Sequence, residues 1–384
     1  MPMHRFADDF GPFEGRVWLN CAHQGSLPHV SVRAASEALR WKMTPSLFND
    51  DSFNTVPQRL KRALGQLVGA PAEEIILGNS TSYGIHLLAN GIPWRAEDEV
   101  LLVTGDFPAN ILPWLALEER DVQIRFIEPS GSVPKAEEVA GQITPATRLF
   151  CTSWVNPFSG HAIDVQAVGA VCRAHNVVFV LNGSQALGAR FLDVALSPVD
   201  ALSCCGFKWL CGPYGTGFCW MKPELRESLE YNQAYWLAMQ SKSGLERMRD
   251  YCLRDDLGAS QYDDFCTANF MNFLPWTASV EYLLAQGLER IQICDEILIS
   301  RLIDGLDRTT YDMVSPTEEN ARSTLFVFTH KEPERNPSIF EVLRQEGIDI
   351  SLREGNLRVS PHLYNTIEDI DRLLSILHSI SGTR

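Results

Sequence analysis

The sequence predicts an α/β chain: a large domain over residues 1–275, built on a mostly parallel sheet flanked by helices, and a smaller α+β domain over 276–384. Three observations predict it. Short apolar runs bounded by turn-forming residues alternate with stretches of helical spacing, the pattern of buried parallel strands joined by crossover helices. After Trp276 the alternation gives way to a long amphipathic stretch and then to further strands and helices. At 384 residues the chain also exceeds the size at which a single core stops growing.

In chain order, residues Pro57 to Gly69 have helical spacing, Glu74 to Leu77 reads as a short strand ending in Gly-Asn-Ser-Thr-Ser, and a helix is expected from Tyr83 to Asn90. Apolar runs at Val100 to Val103, Gln123 to Ile127, Arg148 to Ser153, Val177 to Leu181 and Ala201 to Cys204 supply the other strands, with a helix such as Val165 to His175 between them. The amphipathic stretch Ala278 to Leu306 is expected to join the two domains as one continuous helix, and Thr324 to Thr329 to open a second sheet. Thr366, followed by Glu368 and Asp369, marks the start of the last helix: a hydroxyl for its free amides and carboxylates for its positive end.

A composition of 45% hydrophobic and 21% charged residues is that of a packed protein. A formal charge of −15 argues against a nucleic-acid or anionic-membrane surface, which needs clustered Lys and Arg. No export signal opens the chain and no run reaches a membrane span, so a cytoplasmic location is expected. Ten cysteines without C-x-x-C pairing then suggest reduced thiols and neither a disulfide frame nor a metal site.

Two strand endings carry the chemistry. Val177–Leu181 breaks off in Asn182-Gly183-Ser184-Gln185-Ala186, and the carboxyl end of a parallel strand is where such folds bind ligands. Asp200–Cys205 leads into Gly206-Phe207-Lys208-Trp209-Leu210 and a glycine-rich turn. A lysine among apolar neighbours loses part of its preference for the charged form, and the free amine can attack an aldehyde. On this segment alone, a surface lysine at a strand end fits as well.

The two endings in this order, with Trp18-Leu19-Asn20-Cys21-Ala22 before them, Thr104-Gly105-Asp106-Phe107-Pro108-Ala109-Asn110 between, and Leu357-Arg358-Val359-Ser360-Pro361-His362 near the end, resemble the class V aminotransferases: cysteine desulfurases, isopenicillin N epimerase-like proteins and their kin. The resemblance implies the fold of fold-type I enzymes of pyridoxal 5'-phosphate (PLP), a homodimer with shared active sites, and an amino-acid-type substrate. It makes Lys208 the lysine that carries PLP as an imine and moves the proton at Cα. It places Thr81 and Ser82 on the phosphate, Phe107 against the pyridine ring, Asn156 and Gln185 near the phenolic oxygen, and Arg358, with Arg353 as the rival, on a substrate carboxylate. Thr267 matches a residue that reaches the neighbouring subunit's phosphate, and His23 a place at the site's mouth. Taken singly, Phe107 could be plain core, Thr81 and Ser82 a helix cap, Thr267 a loop hydroxyl and Arg358 half of a surface ion pair.

The chain departs from the family pattern at the cofactor. Asn182 stands where the family nearly always has Asp, whose carboxylate keeps the pyridine nitrogen protonated; an amide cannot supply that charge. Cys205 and Phe207 stand where relatives often carry phosphate donors, and the loop Arg353-Glu354-Gly355-Asn356 lacks the thiol with which desulfurases take up sulfur. The expectation is PLP chemistry at the α-carbon of an amino acid or conjugate: an aminotransferase by family default, a lyase, epimerase or oxidative decarboxylase by Asn182, and not a persulfide-forming desulfurase. The other possibility is a degenerate member that serves as a dimeric binding or scaffold protein.

Overall fold

The computed structural model describes residues 6–49, 51–230, 249, 253–254, 256–265 and 269–382. Its centre is a seven-stranded sheet. The strands β2 (Ile75–Gly78), β3 (Glu99–Val103), β4 (Gln123–Ile127), β5 (Thr147–Ser153), β6 (Val178–Asn182), β7 (Ala201–Cys205) and β8 (Gly217–Met221) lie in the order β2-β8-β7-β6-β5-β3-β4. All neighbouring pairs are parallel except those made by β8, which runs against both β2 and β7. This agrees with the expected large domain. β8 was not announced by the sequence, because its residues follow a glycine-rich turn that hides the start of the strand. Phe150, Phe179, Leu181 and Leu202 from the inner strands are fully buried, as central strands covered on both faces require.

Helix Ser52–Val68 buries Leu60, Leu64 and Leu67 at helical spacing and stops at Gly69, whose φ of +72° a side chain would resist. Helix Thr81–Gly91 follows β2 directly, and the Ser80 hydroxyl accepts from the Tyr83 amide to cap it.

A four-stranded antiparallel sheet forms the second core: β9 (Tyr311–Met313), β10 (Phe326–His330), β12 (Ser351–Arg353) and β13 (Asn356–Val359), ordered β12-β13-β10-β9. Helices Asn336–Gln345 and Ile367–Gly382 pack on it, and Thr366 and Asp369 exchange hydrogen bonds at the start of the latter, as the sequence indicated. Two expectations are corrected. The stretch expected as one helix from Ala278 is two, Phe270–Gln286 and Leu288–Gly305, because Gly287 sits at φ +84° between them. The N-terminal strand β1 (Val17–Trp18), grouped by the sequence with the large domain, pairs in parallel with β11 (Ile348–Asp349), and Val17 and Leu19 join the second core. No helix among the described residues is long and apolar enough to cross a membrane.

Candidate active site

A cavity of about 380 Å³ opens where the carboxyl ends of β3, β5, β6 and β7 meet the second sheet. Of the residues singled out by sequence, Thr81, Ser82, Phe107, Asn182, Gln185, Cys205, Phe207, Lys208, Arg353, Arg358 and His23 all line it. Asn156 does not. It is buried, and its Oδ1 accepts from the Phe158 and Ser159 amides at 2.9 and 3.0 Å, so its carbonyl closes its own loop and Pro157 faces the cavity. Thr267 lies outside the described residues.

Lys208 follows β7 after a two-residue turn and is only partly buried, contrary to the enclosed position read from its neighbours in sequence. Its Nζ lies 5.5 Å from the centre of the Phe107 ring and 5.8 Å from that of Phe207, so two aromatic faces flank the amine. The loop is clamped from behind. The Phe207 carbonyl accepts from the Gly25 amide at 2.9 Å, and a Cβ on Gly25 would stand 2.0 Å from the Lys208 carbonyl oxygen, so only glycine allows that approach. Gln185 bridges the clamp: its Oε1 takes the Trp209 indole N–H at 3.1 Å and its Nε2 donates to the Ala22 carbonyl at 3.1 Å.

Opposite, the first turn of helix Thr81–Gly91 presents amides that have no partner inside the helix, with the hydroxyls of Thr81, Ser82 and Ser184 around them. Such a donor set suits an anion. Phe107, 39% exposed at the cavity, offers an uncovered aromatic face.

The rim comes from the β12-β13 hairpin, turned by Glu354 and Gly355, both at positive φ. Ser351 pairs with Arg358 and Arg353 with Asn356, so the two arginines share one face while Leu352 and Leu357 take the other. Arg358 is buried, its Nη1 donating to the Pro157 carbonyl at 3.1 Å, and its Nε is buried with no partner among the described residues. Burial and the charge of Arg353 lower its pKa to about 10, which leaves it charged at neutral pH. Partial burial, with Arg353, Arg358 and Lys208 nearby, likewise holds His23 below its ordinary value.

Several polar residues in and behind the lining were missed. Asp106, Asn110 and Ser153 form a hydrogen-bonded group that ends on Asn182. His362 is fully buried; its Nε2 donates to the Trp209 carbonyl at 3.1 Å and its Nδ1 to Asp295 at 2.9 Å. Burial opposes its charge, but the Asp295 carboxylate outweighs that and raises its pKa to about 10. This imidazolium, from the segment after β13, props the lysine loop. The signal was available: Asp106, Asn110 and His362 are polar residues inside the very motifs that carry the family resemblance.

This is the architecture of the PLP-dependent fold-type I enzymes. A family model described as aminotransferase class-V matches residues 50–373, and the chain belongs to that family. A probable cysteine desulfurase of Methanothermobacter thermautotrophicus is 24% identical over 341 residues, covering 85% of this chain and 84% of the relative. Isopenicillin N epimerase of Streptomyces clavuligerus is 25% identical over 336 residues, covering 84% of each. The complex of the cystine C-S lyase C-DES with cysteine persulfide superposes with a TM-score of 0.86 at 20% identity, covering 94% of this chain and 97% of that one; a C-DES mutant with glycine covalently linked to its PLP cofactor gives 0.87 at 20% identity, with 96% and 98% covered. The family is PLP-dependent, as the sequence implied.

Proposed function

We propose that the protein catalyses PLP-dependent chemistry at the α-carbon of an acidic amino acid or amino-acid conjugate, of a kind that returns the cofactor unchanged: a lyase, epimerase or decarboxylase reaction in preference to net transamination. The observation that carries this reading is the amide at Asn182, in a cavity whose lining, among the described residues, contains no Asp or Glu. When bound, PLP supplies a ring that accepts electrons from the α-carbon, and a ring nitrogen with no carboxylate against it accepts them less fully. Reactions that need the full electron sink suffer most.

The residues fit the cofactor elsewhere. The helix 81–91 terminus and its hydroxyls suit the phosphate, Phe107 offers a face to the ring, and Lys208 reaches the cavity between two aromatic rings. Lys208, in the cavity lining, would hold the cofactor covalently and move the proton at Cα. Arg358 lines the cavity and binds the α-carboxylate through its planar fork. Arg353, exposed on the same face and with no carboxylate partner among the described residues, is left to meet a second acidic group at the mouth. A homodimer is part of this reading, and Tyr214 supports it by lining the cavity while 58% exposed.

Persulfide formation on the hairpin is not part of it, although relatives are named as desulfurases, because the Glu354-Gly355 tip carries no thiol. Among the described residues Cys205 is the one cysteine lining the cavity, and it is buried. Incubation of the holoprotein with a panel of amino acids and cysteine conjugates, with mass analysis of cofactor and product, tests the proposal. Intact PLP with a cleaved, epimerised or decarboxylated substrate is expected. Stoichiometric pyridoxamine phosphate would establish an aminotransferase, and a chain that never retains PLP would be a scaffold.

A further inference from the structure

The surroundings of Asn182 do more than accommodate an amide. Asp106, just past β3, is 6% exposed, and its carboxylate accepts from the Phe107 amide at 2.6 Å, the Ser153 hydroxyl at 2.7 Å, the Ser153 amide at 2.8 Å, Asn110 Nδ2 at 3.0 Å and the Thr152 hydroxyl at 3.3 Å. Every contact is a donor's, as an ionised carboxylate requires. Because the Ser153 hydroxyl gives its proton to the bond with Asp106, it can only accept from Asn110 Nδ2, at 2.8 Å. Both N–H bonds of Asn110 are then committed, and its Oδ1 faces residue 182. There it accepts from Asn182 Nδ2 at 2.8 Å, while Asn182 Oδ1 accepts from the Ser184 amide at 3.0 Å. The direction of each bond follows from the one before it, back to Asp106.

We infer that Asp106 and Asn110 are positioning residues that require a neutral hydrogen-bond donor at position 182. An ionised carboxylate there would set one acceptor against another, Asn110 Oδ1, about 2.8 Å away. Turning Asn110 over would relieve that contact but aim its Oδ1 at Asp106. In this chain a negative charge stands at 106, with the Asn110 amide between it and residue 182, and what Asn182 offers the cavity carries no charge. The consequence for PLP rests on the proposed function; the hydrogen-bond logic does not, and it is testable without cofactor.

The experiment is a double-mutant cycle on the apoprotein, with Asn182→Asp, Asp106→Asn and the pair, followed by thermal unfolding at pH 5.5 and pH 8. The carboxyl group introduced by Asn182→Asp alone would have a raised pKa, so the folded state of that variant is favoured while the group is protonated and loses stability as the pH rises through that value. N182D should melt lower, relative to wild type, at pH 8 than at pH 5.5, by up to about 4 °C. Adding D106N, which frees Asn110 to turn, should remove that pH-dependent loss even though D106N destabilises the wild type. If D106N does not fold, N110A replaces it and should abolish the pH dependence of N182D. Equal stability of N182D at both pH values, or strictly additive substitutions, would overturn the inference. If the cycle behaves as expected while the wild-type protein fails to retain added PLP, the network stands and the functional reading falls.

Discussion

The floor and the rim of the cavity are built from opposite materials. The floor, at the carboxyl ends of the parallel strands, offers neutral donors: helix amides, the hydroxyls of Thr81, Ser82 and Ser184, and the amides of Asn182 and Gln185. The rim, from the antiparallel hairpin, offers Arg353 and Arg358. The chain as a whole carries −15, so a cavity lined by Lys208 and two arginines, with no acid among the described residues, is a local inversion of charge. On the proposed function recognition is divided: the floor would hold a cofactor without fixing its charge, and the rim would sort substrates by theirs.

The largest effect should come from the residue that serves both regions. Lys208→Ala should lower turnover by roughly 10²- to 10⁴-fold, the range for losing a proton-transfer group. It should also abolish borohydride-stable attachment of PLP to the peptide containing residue 208, read by mass mapping. Arg358→Gln should separate the regions: kcat/KM falls by about 1.5–3 kcal/mol, the worth of a hydrogen bond to a charged group, or roughly 10- to 150-fold, while cofactor absorbance is unchanged. If R358Q also lost the cofactor, floor and rim would not be independent. Arg353→Gln should have a smaller effect, confined to substrates with a second acidic group and fading with added salt, since the side chain is exposed.

Much of this division was legible in the sequence, and what was not has a physical cause. Apolar runs marked six of the seven strands of the large sheet; β8 escaped because glycines mask its beginning. Lys208, Phe107 and Arg358, which line the cavity, stood out in the sequence because each lies in a motif of the family resemblance. Asn156 was misplaced because a motif fixes backbone position but not whether a short amide turns toward a cavity or back onto its own loop. Asp106, Asn110 and His362 were quoted in their motifs and passed over, since apart from the Asp106–Asn110 contact the partners that tie them into the site lie 43 to 153 residues away, and pairings at that range have no local signature.

The smallest expected effect concerns the prop behind the lysine loop. The pKa of His362, about 10 when folded, lies above its ordinary 6.5. The stability it contributes is therefore full below about pH 6.5 and is lost as the pH rises through 10. Measured against the double variant Asp295→Asn/His362→Gln, which removes both charges, the wild-type advantage in melting temperature should shrink steadily between about pH 7 and pH 10. A constant difference across that range would mean that the pair contributes packing alone.

The most direct test of a neutral floor beneath a cationic rim is a visible spectrum of the purified protein with added PLP, recorded before and after acidic amino acids and their neutral amide analogues. A bound-cofactor band should respond to the acids far more than to the amides and return to its starting form once substrate is consumed. A band that bleaches permanently to the pyridoxamine form, with acids and amides alike, would contradict both the neutral floor and the sorting rim.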